Sequence, residues 1–282
     1  MAQLSPSRSS LAAILSPGVP LSFPGYKARK YLPELDGLRA IPIFMVITVH
    51  MADGVWHWLN GGFGVTVFFV LSGYLITMLG LREEQQRGKM DMRAFYTRRV
   101  FRIFPLYYLV LGVYVFLILG VKIAPDKIPG FAPALPFFIF YFPEVATHMG
   151  PHGGLLPFYQ AWSLGIEEKF YFFWLALAFL FLRARSWPRR TLTALLILVF
   201  IFYIYWAPWL GAYRVQSYAL ILLGAMLALL LEEPAGFAFM QRFAGAMFYL
   251  VLPVWFLCNS RISRRAIRYI FTRHTGFLSC CF

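Results

Sequence analysis

Acidic side chains and cysteines are both scarce in this chain. Twelve Asp and Glu stand against 26 Lys and Arg in 282 residues, a formal net charge of +14. The three cysteines, Cys258, Cys280 and Cys281, form no CxxC pair and no zinc-ligand spacing, so neither a metal site nor a disulfide framework has support. Charge of either sign is low, 13% against roughly a quarter in soluble domains, which makes solubility the weak reading. Residues 1–30 have no apolar run longer than LAAIL, too short for a signal-peptide core. Rich in Ser and Pro, they read as a disordered cytoplasmic leader. No internal repeat stands out.

What is present is apolar. Hydrophobic residues make up 60% of the chain, aromatics 19%, and mean hydropathy is +0.65. A helix needs about 20 mainly apolar residues to cross a bilayer, and seven segments qualify: 31–52, 61–81, 103–121, 159–182, 191–213, 215–231 and 236–258. The expected fold is an all-α polytopic transmembrane helix bundle, one domain over 31–258, followed by a basic tail at 259–282. The stretch IPGFAPALPFFIFYFP at 128–143 is apolar but has four prolines. Each proline removes a backbone donor and disfavours helix in the residue before it, so an interfacial or re-entrant segment is expected there.

Lys and Arg fall mainly between the apolar runs, which argues for orientation in a bilayer and against nucleic acid as a partner. Seven lie in 82–102, two in 122–160 and four in 183–190, while 51–60 has none. This alternation places the N-terminus in the cytoplasm. It fails once, at the tail after 258, which carries five arginines on the side where arginine is disfavoured.

Several polar residues sit where apolar ones are expected. Arg39 and His50 are eleven residues apart, which is three turns plus about 20° and about 16 Å along one helix face. Arginine at membrane depth costs roughly 2.5–3.5 kcal/mol on the lenient insertion scale and usually faces a bundle interior or a wet cavity. The bland readings are an Arg39 that snorkels to the inner interface and an interfacial His50 without chemistry. Pro42 lies between them and breaks one backbone bond. Ser72-Gly73, in mid-span, reads first as a close-packing pair. Arg99 and Arg102, three apart, are neighbours on one face. They suit phosphate or serve only as an orientation signal. In AWSLGIEEKFYFF, Ser163, Glu167 and Tyr171 recur every four residues and share a face. Glu167 either partners His50 or, with Glu168, flanks the membrane surface.

In order along the chain, ELDGLRAIPIFMVITVH, GVTVFFVLSGYL, FYTRRVFRIFPLYY and WSLGIEEKFY resemble the motifs of the membrane acyltransferase-3 family, over roughly residues 31–260. Members O-acylate bacterial surface glycans and some antibiotics. The family pattern of Arg, ten residues, then His falls on Arg39 and His50. Its RxxR motif falls on Arg99 and Arg102, and its acidic motif on Ser163, Leu164, Glu167, Phe170 and Tyr171. Asp36, Ser72 and Trp162 lie within the matching motifs as supporting positions. Ala40 stands where the family commonly has Gly.

The resemblance implies a multi-pass protein of the bacterial inner membrane, with acyl-CoA, usually acetyl-CoA, as co-substrate and no permanently bound cofactor. Its partners are membrane lipid and a glycan or lipid-linked sugar acceptor. Arg99 and Arg102 would engage CoA phosphates. His50 would act as general base or brief acyl carrier, Arg39 would stabilise the thioester oxyanion or hold the donor, and Glu167 would orient His50. A transporter or flippase also needs intramembrane charge, but the repeated halves typical of that class are not found. Family members continue with further membrane helices, and together with the misplaced arginines this predicts a frameshifted or truncated tail and an impaired 282-residue form.

Overall fold

The structure, a computed structural model, describes residues 22–29, 33–51, 61–146, 149, 156–182, 186–206 and 212–242. Among these there is no strand. The helices are α1 (Phe23–Ala28), α2 (Pro33–Met51), α3 (Gly61–Arg87), α4 (Met92–Val115), α5 (Ile128–Ile139), α6 (Pro143–Ala146), α7 (Trp162–Leu175), α8 (Ser186–Trp206), α9 (Ala212–Leu231) and α10 (Pro234–Arg242). Two of them, α4 and α7, run on into π-helical turns at Phe116–Gly120 and Ala176–Phe181.

The expected all-α class is observed. Two helices are each long and apolar enough to cross a membrane, Gly61–Arg87 and Met92–Gly120. A third candidate is the pair Val215–Leu231 and Pro234–Arg242, bent by 115° at the break between them. Within α2, Gly37–Thr48 is a shorter apolar helix. The tail at 259–282, and most of the segment expected at 236–258, lie outside the described residues.

Three local features go beyond the sequence reading. The basic 82–102 connection is almost entirely helical, because Lys and Arg are good helix formers and extend α3 and α4 past their apolar lengths. Only Gly88–Asp91 interrupts them: Gly88 takes φ +71° and Asp91 caps α4 by accepting from the Ala94 N–H at 3.0 Å. The proline-rich segment is helical over Ile128–Ile139, with Pro133 and Pro136 inside. Burial of Phe131, Ala134 and Phe138, each fully enclosed, offsets the lost backbone bonds. Tyr107 and Tyr108 of α4 donate to the terminal carbonyls of Phe138 and Ile139, both at 2.9 Å. At 12 residues this helix is about 18 Å long, short of a crossing. Finally, Phe23–Ala28, at the end of the Ser- and Pro-rich leader, is helical. Tyr26 is buried and shares a hydrogen bond with the Tyr74 hydroxyl at 3.1 Å, and Lys27 pairs with Glu232.

The centre of the bundle is α3, which packs against α2, α7 and α9. A Cβ at Gly73 would overlap the Ile221 carbonyl, and one at Gly224 would overlap the Val70 carbonyl. The two glycines thus let α3 and α9 touch backbone to backbone, which bears out the packing role read for Gly73. Trp174 of α7 donates to Thr77 Oγ1 of α3 at 2.9 Å, within the core.

At one end of α3, Glu84 and Arg189 form a buried bidentate pair, with Nη1 to Oε2 at 2.7 Å and Nη2 to Oε1 at 2.8 Å. Arg189 Nε donates to the Ala178 carbonyl at 2.7 Å, in the π-helical turn after α7. Arg189 therefore ties α3, α7 and α8 together. Removing one partner leaves the other charge buried. Arg189→Ala is expected to destabilise the protein by about 3–5 kcal/mol, with most of the loss recovered when Glu84 and Arg189 are both replaced by Leu. Thermal unfolding in detergent checks both.

Candidate active site

The acidic stretch of α7 points two ways. Adjacent helical residues lie about 100° apart, so Glu167 turns into the core while Glu168 turns toward α4. Glu167 is buried and accepts from the Tyr171 hydroxyl at 2.9 Å. Ser72 Oγ of α3 lies beside both groups but makes no well-formed hydrogen bond among the described residues. Trp162, at the head of α7, packs edge-on against Phe69 of α3 with ring centroids 5.9 Å apart. Four of the expected site residues, Ser72, Trp162, Glu167 and Tyr171, are thus brought to the α3–α7 interface.

Arg99 of α4 joins this group from the other side. Its guanidinium carbon lies 3.9 Å from the Tyr171 ring centroid, and its Nη1 donates to Glu168 Oε1 at 2.7 Å. Tyr96, one turn earlier, donates to the carbonyls of Tyr171 and Phe172 at 3.2 and 3.1 Å. Neither Glu168 nor Tyr96 is a site residue in the sequence reading. The signal for Glu168 is the Glu-Glu pair itself, whose two members cannot share one helix face.

Ser163, the first position of the acidic motif on α7, opens on a second feature. A cavity of about 190 Å³ is lined by Pro42, Ile43, Val46 and Ile47 of α2, Val65 and Phe68 of α3, and Ser163. Positions 43, 46 and 47 lie on the α2 face between Arg39 and His50. Arg39 is half-buried, and its Nε is enclosed without a hydrogen-bond partner among the described residues. His50 and Asp36 belong to the α2 backbone, but their side chains lie outside the described set. The expected pairing of Glu167 with His50 lies outside it too.

Where α1, α3 and α4 meet is a cleft of about 740 Å³, lined by the cations Lys27, Arg29, Arg82, Arg87, Arg98, Arg99 and Arg102. Glu83 is the one carboxylate in its lining. Part of the wall is the end of the leader: Arg82 donates to the Arg29 and Tyr26 carbonyls at 2.7 and 3.4 Å and stacks over the Tyr26 ring. Because Arg99 lines the cleft and also covers Tyr171, it is the link between the basic cleft and the buried Glu167–Tyr171 pair. Such a cleft attracts polyanions. Among the described residues no group of three or more His, Cys, Asp or Glu is placed to hold a metal ion.

The bundle has a basic cleft at one end and a buried acid–hydroxyl pair behind it. Residues 32–281 match the sequence profile of the acyltransferase-3 domain, described as an acyltransferase domain, and the chain belongs to this family. The match includes the basic tail. Peptidoglycan O-acetyltransferase OatA of Listeria monocytogenes is 36% identical over 173 residues, 58% of this chain and 27% of the relative. YrhL of Bacillus subtilis, provisionally named a peptidoglycan O-acetyltransferase, is 38% identical over 151 residues, 51% of this chain and 23% of the relative. A Staphylococcus aureus protein provisionally named an O-acetyltransferase, SACOL0978, is 36% identical over 155 residues, 54% and 25% of the two chains. The chain therefore spans about a quarter of the length of the curated relatives it matches. No solved structure matches it.

Tyr171→Phe tests the buried pair. It keeps the ring beneath Arg99 and removes the donor to Glu167. Leaving a buried acceptor unpaired costs about 1–3 kcal/mol, so the unfolding midpoint is expected to fall. An unchanged midpoint would show that Glu167 is satisfied by another group.

Proposed function

We propose that this chain is an integral membrane O-acyltransferase of the bacterial inner membrane. It moves an acyl group, acetyl first among them, from acyl-CoA to a hydroxyl of a cell-surface or exported glycan. The names of the relatives make peptidoglycan the leading acceptor. The observation that carries the reading is the chain of contacts from the basic cleft through Arg99 to the buried Tyr171–Glu167 pair, with the Ser163 cavity beside the Arg39–His50 face of α2. The alternation of basic loops supports a seven-span arrangement with a cytoplasmic N-terminus, where CoA is available.

In the reaction the acceptor oxygen attacks the thioester carbonyl, a C–O bond forms, and the C–S bond breaks to release CoA. His50 takes the proton of the hydroxyl and returns it to the departing thiolate. In the carrier variant, His50 takes the acyl group first and the acceptor hydroxyl removes it. Arg39, whose Nε has no partner among the described residues, donates to the developing oxyanion or holds the donor. Glu167 would hold the cationic form of His50. The cleft arginines bind the phosphates of the donor.

Transfer of radiolabel from acetyl-CoA to membrane glycan is the direct measurement, with variants compared to the parent chain. His50→Ala is expected to abolish transfer while membrane insertion persists, because a small neutral residue inserts more easily. Arg39→Lys is expected to fail as well, since ammonium lacks the planar fork. Transfer by His50→Ala at the parental rate would refute the assignment. A cysteine placed at Arg102 should react with impermeant reagent only from the cytoplasmic side; labelling from outside would reverse the proposed orientation.

A further inference from the structure

We infer that Arg98 and Arg102, rather than Arg99 and Arg102, are the phosphate clamp of the basic cleft, and that their ligand is the phosphorylated nucleotide end of a CoA. This rests on the acyl-CoA reading above. Charge pairing around the cleft singles them out. Lys27 is held by Glu232, Arg29 by Glu34, Arg87 by Glu83 and Arg99 by Glu168, while Arg82 donates to the Arg29 and Tyr26 carbonyls. The nearby acids are committed too: Glu84 holds Arg189 and Asp91 caps α4. Among the described residues, Arg98 and Arg102 are the cleft cations that keep neither an ion pair nor a hydrogen bond.

Both are exposed and both line the cleft. They lie one turn apart on α4, so their guanidinium groups are neighbours, and like charges at this spacing disfavour the helix. An anion bound between them relieves that repulsion. Two forked guanidinium groups suit phosphate oxygens through paired hydrogen bonds, and a volume of about 740 Å³ is in the range of small-molecule sites. Arg99 differs. Glu168 neutralises it and Tyr171 covers one face of it, so a phosphate would have to displace a carboxylate to reach it bidentately.

The test uses the full chain in phosphatidylcholine nanodiscs, with adenosine 3′,5′-bisphosphate as the probe because it has the nucleotide phosphates without the acyl arm. Arg98→Ala and Arg102→Ala are each expected to weaken binding about tenfold and to flatten its salt dependence. Arg98→Lys should recover only part of the loss. The double variant Arg99→Ala, Glu168→Gln should stay within about twofold of the parent, as removing a neutralised pair changes the field little. Parental binding by Arg98→Ala, with a large loss in the Arg99→Ala, Glu168→Gln double variant, would overturn the clamp. Phosphatidylglycerol nanodiscs separate the other source of phosphate. Retention of that lipid that depends on Arg98, without bisphosphate binding that depends on it, assigns the pair to lipid headgroups and also overturns the inference. Acyl transfer is assayed on the same samples. Bisphosphate binding lost in Arg98→Ala, by a parent that transfers no acyl group to glycan, retains the clamp and rejects the transferase reading.

Discussion

The backbone of α3 passes the backbone of α9 in direct contact because Gly73 and Gly224 each face the other helix's carbonyl groups without a side chain between. That crossing puts α3 at the centre of the bundle, with α2 and α7 on its remaining sides. From there α3 supplies one partner to polar contacts with three other helices: Tyr74 to α1, Thr77 to α7 and Glu84 to α8. A bulkier residue at either glycine would push α9 outward, and the surfaces that depend on α3 would lose their common reference.

Around that centre, buried charge is nearly always paired. An apolar interior makes an unpartnered ion expensive, and the structure answers with Arg189 on Glu84, Lys169 on Glu144 and Arg99 on Glu168. Lys169 also donates to the Tyr141 and Gly165 carbonyls, which pins α6 and the turn before it to α7. These pairs leave few groups uncommitted. Among the described residues the enclosed polar atoms without a hydrogen-bond partner are Arg39 Nε, Ser72 Oγ, Tyr141 Oη and Arg190 Nε, and of these Ser72 Oγ lies beside the Glu167–Tyr171 pair.

Part of the geometry around α7 was legible in the sequence. The period of four in Ser163, Glu167 and Tyr171 placed them on one face, and the structure keeps Glu167 and Tyr171 in hydrogen-bond contact. Ser72 was legible as a member of a small-residue pair, yet its approach to Glu167 was not, because that depends on the rotation of α3 against α7. Arg99 was legible as half of an arginine pair. Its capture by Glu168 was not, since the two are 69 residues apart and nothing local couples them. Arg189 looked like one more orienting cation in a basic loop, whereas its side chain is among the most buried charged groups described.

What the sequence determined by itself was class and periodicity: an all-α chain, apolar runs of crossing length, basic connections, and motif residues in helical register. These follow from local physics, namely the 3.6-residue turn and the transfer cost of each side chain. What only the tertiary structure decided was pairing: which arginine meets which glutamate, how the proline-rich segment folds as the α5 helix under Tyr107 and Tyr108, and how α1 closes one wall of the cleft. Pairing depends on the rotation and depth of each helix against its neighbours, set by close contacts such as Gly73 on Ile221, and no run of residues along one helix encodes that.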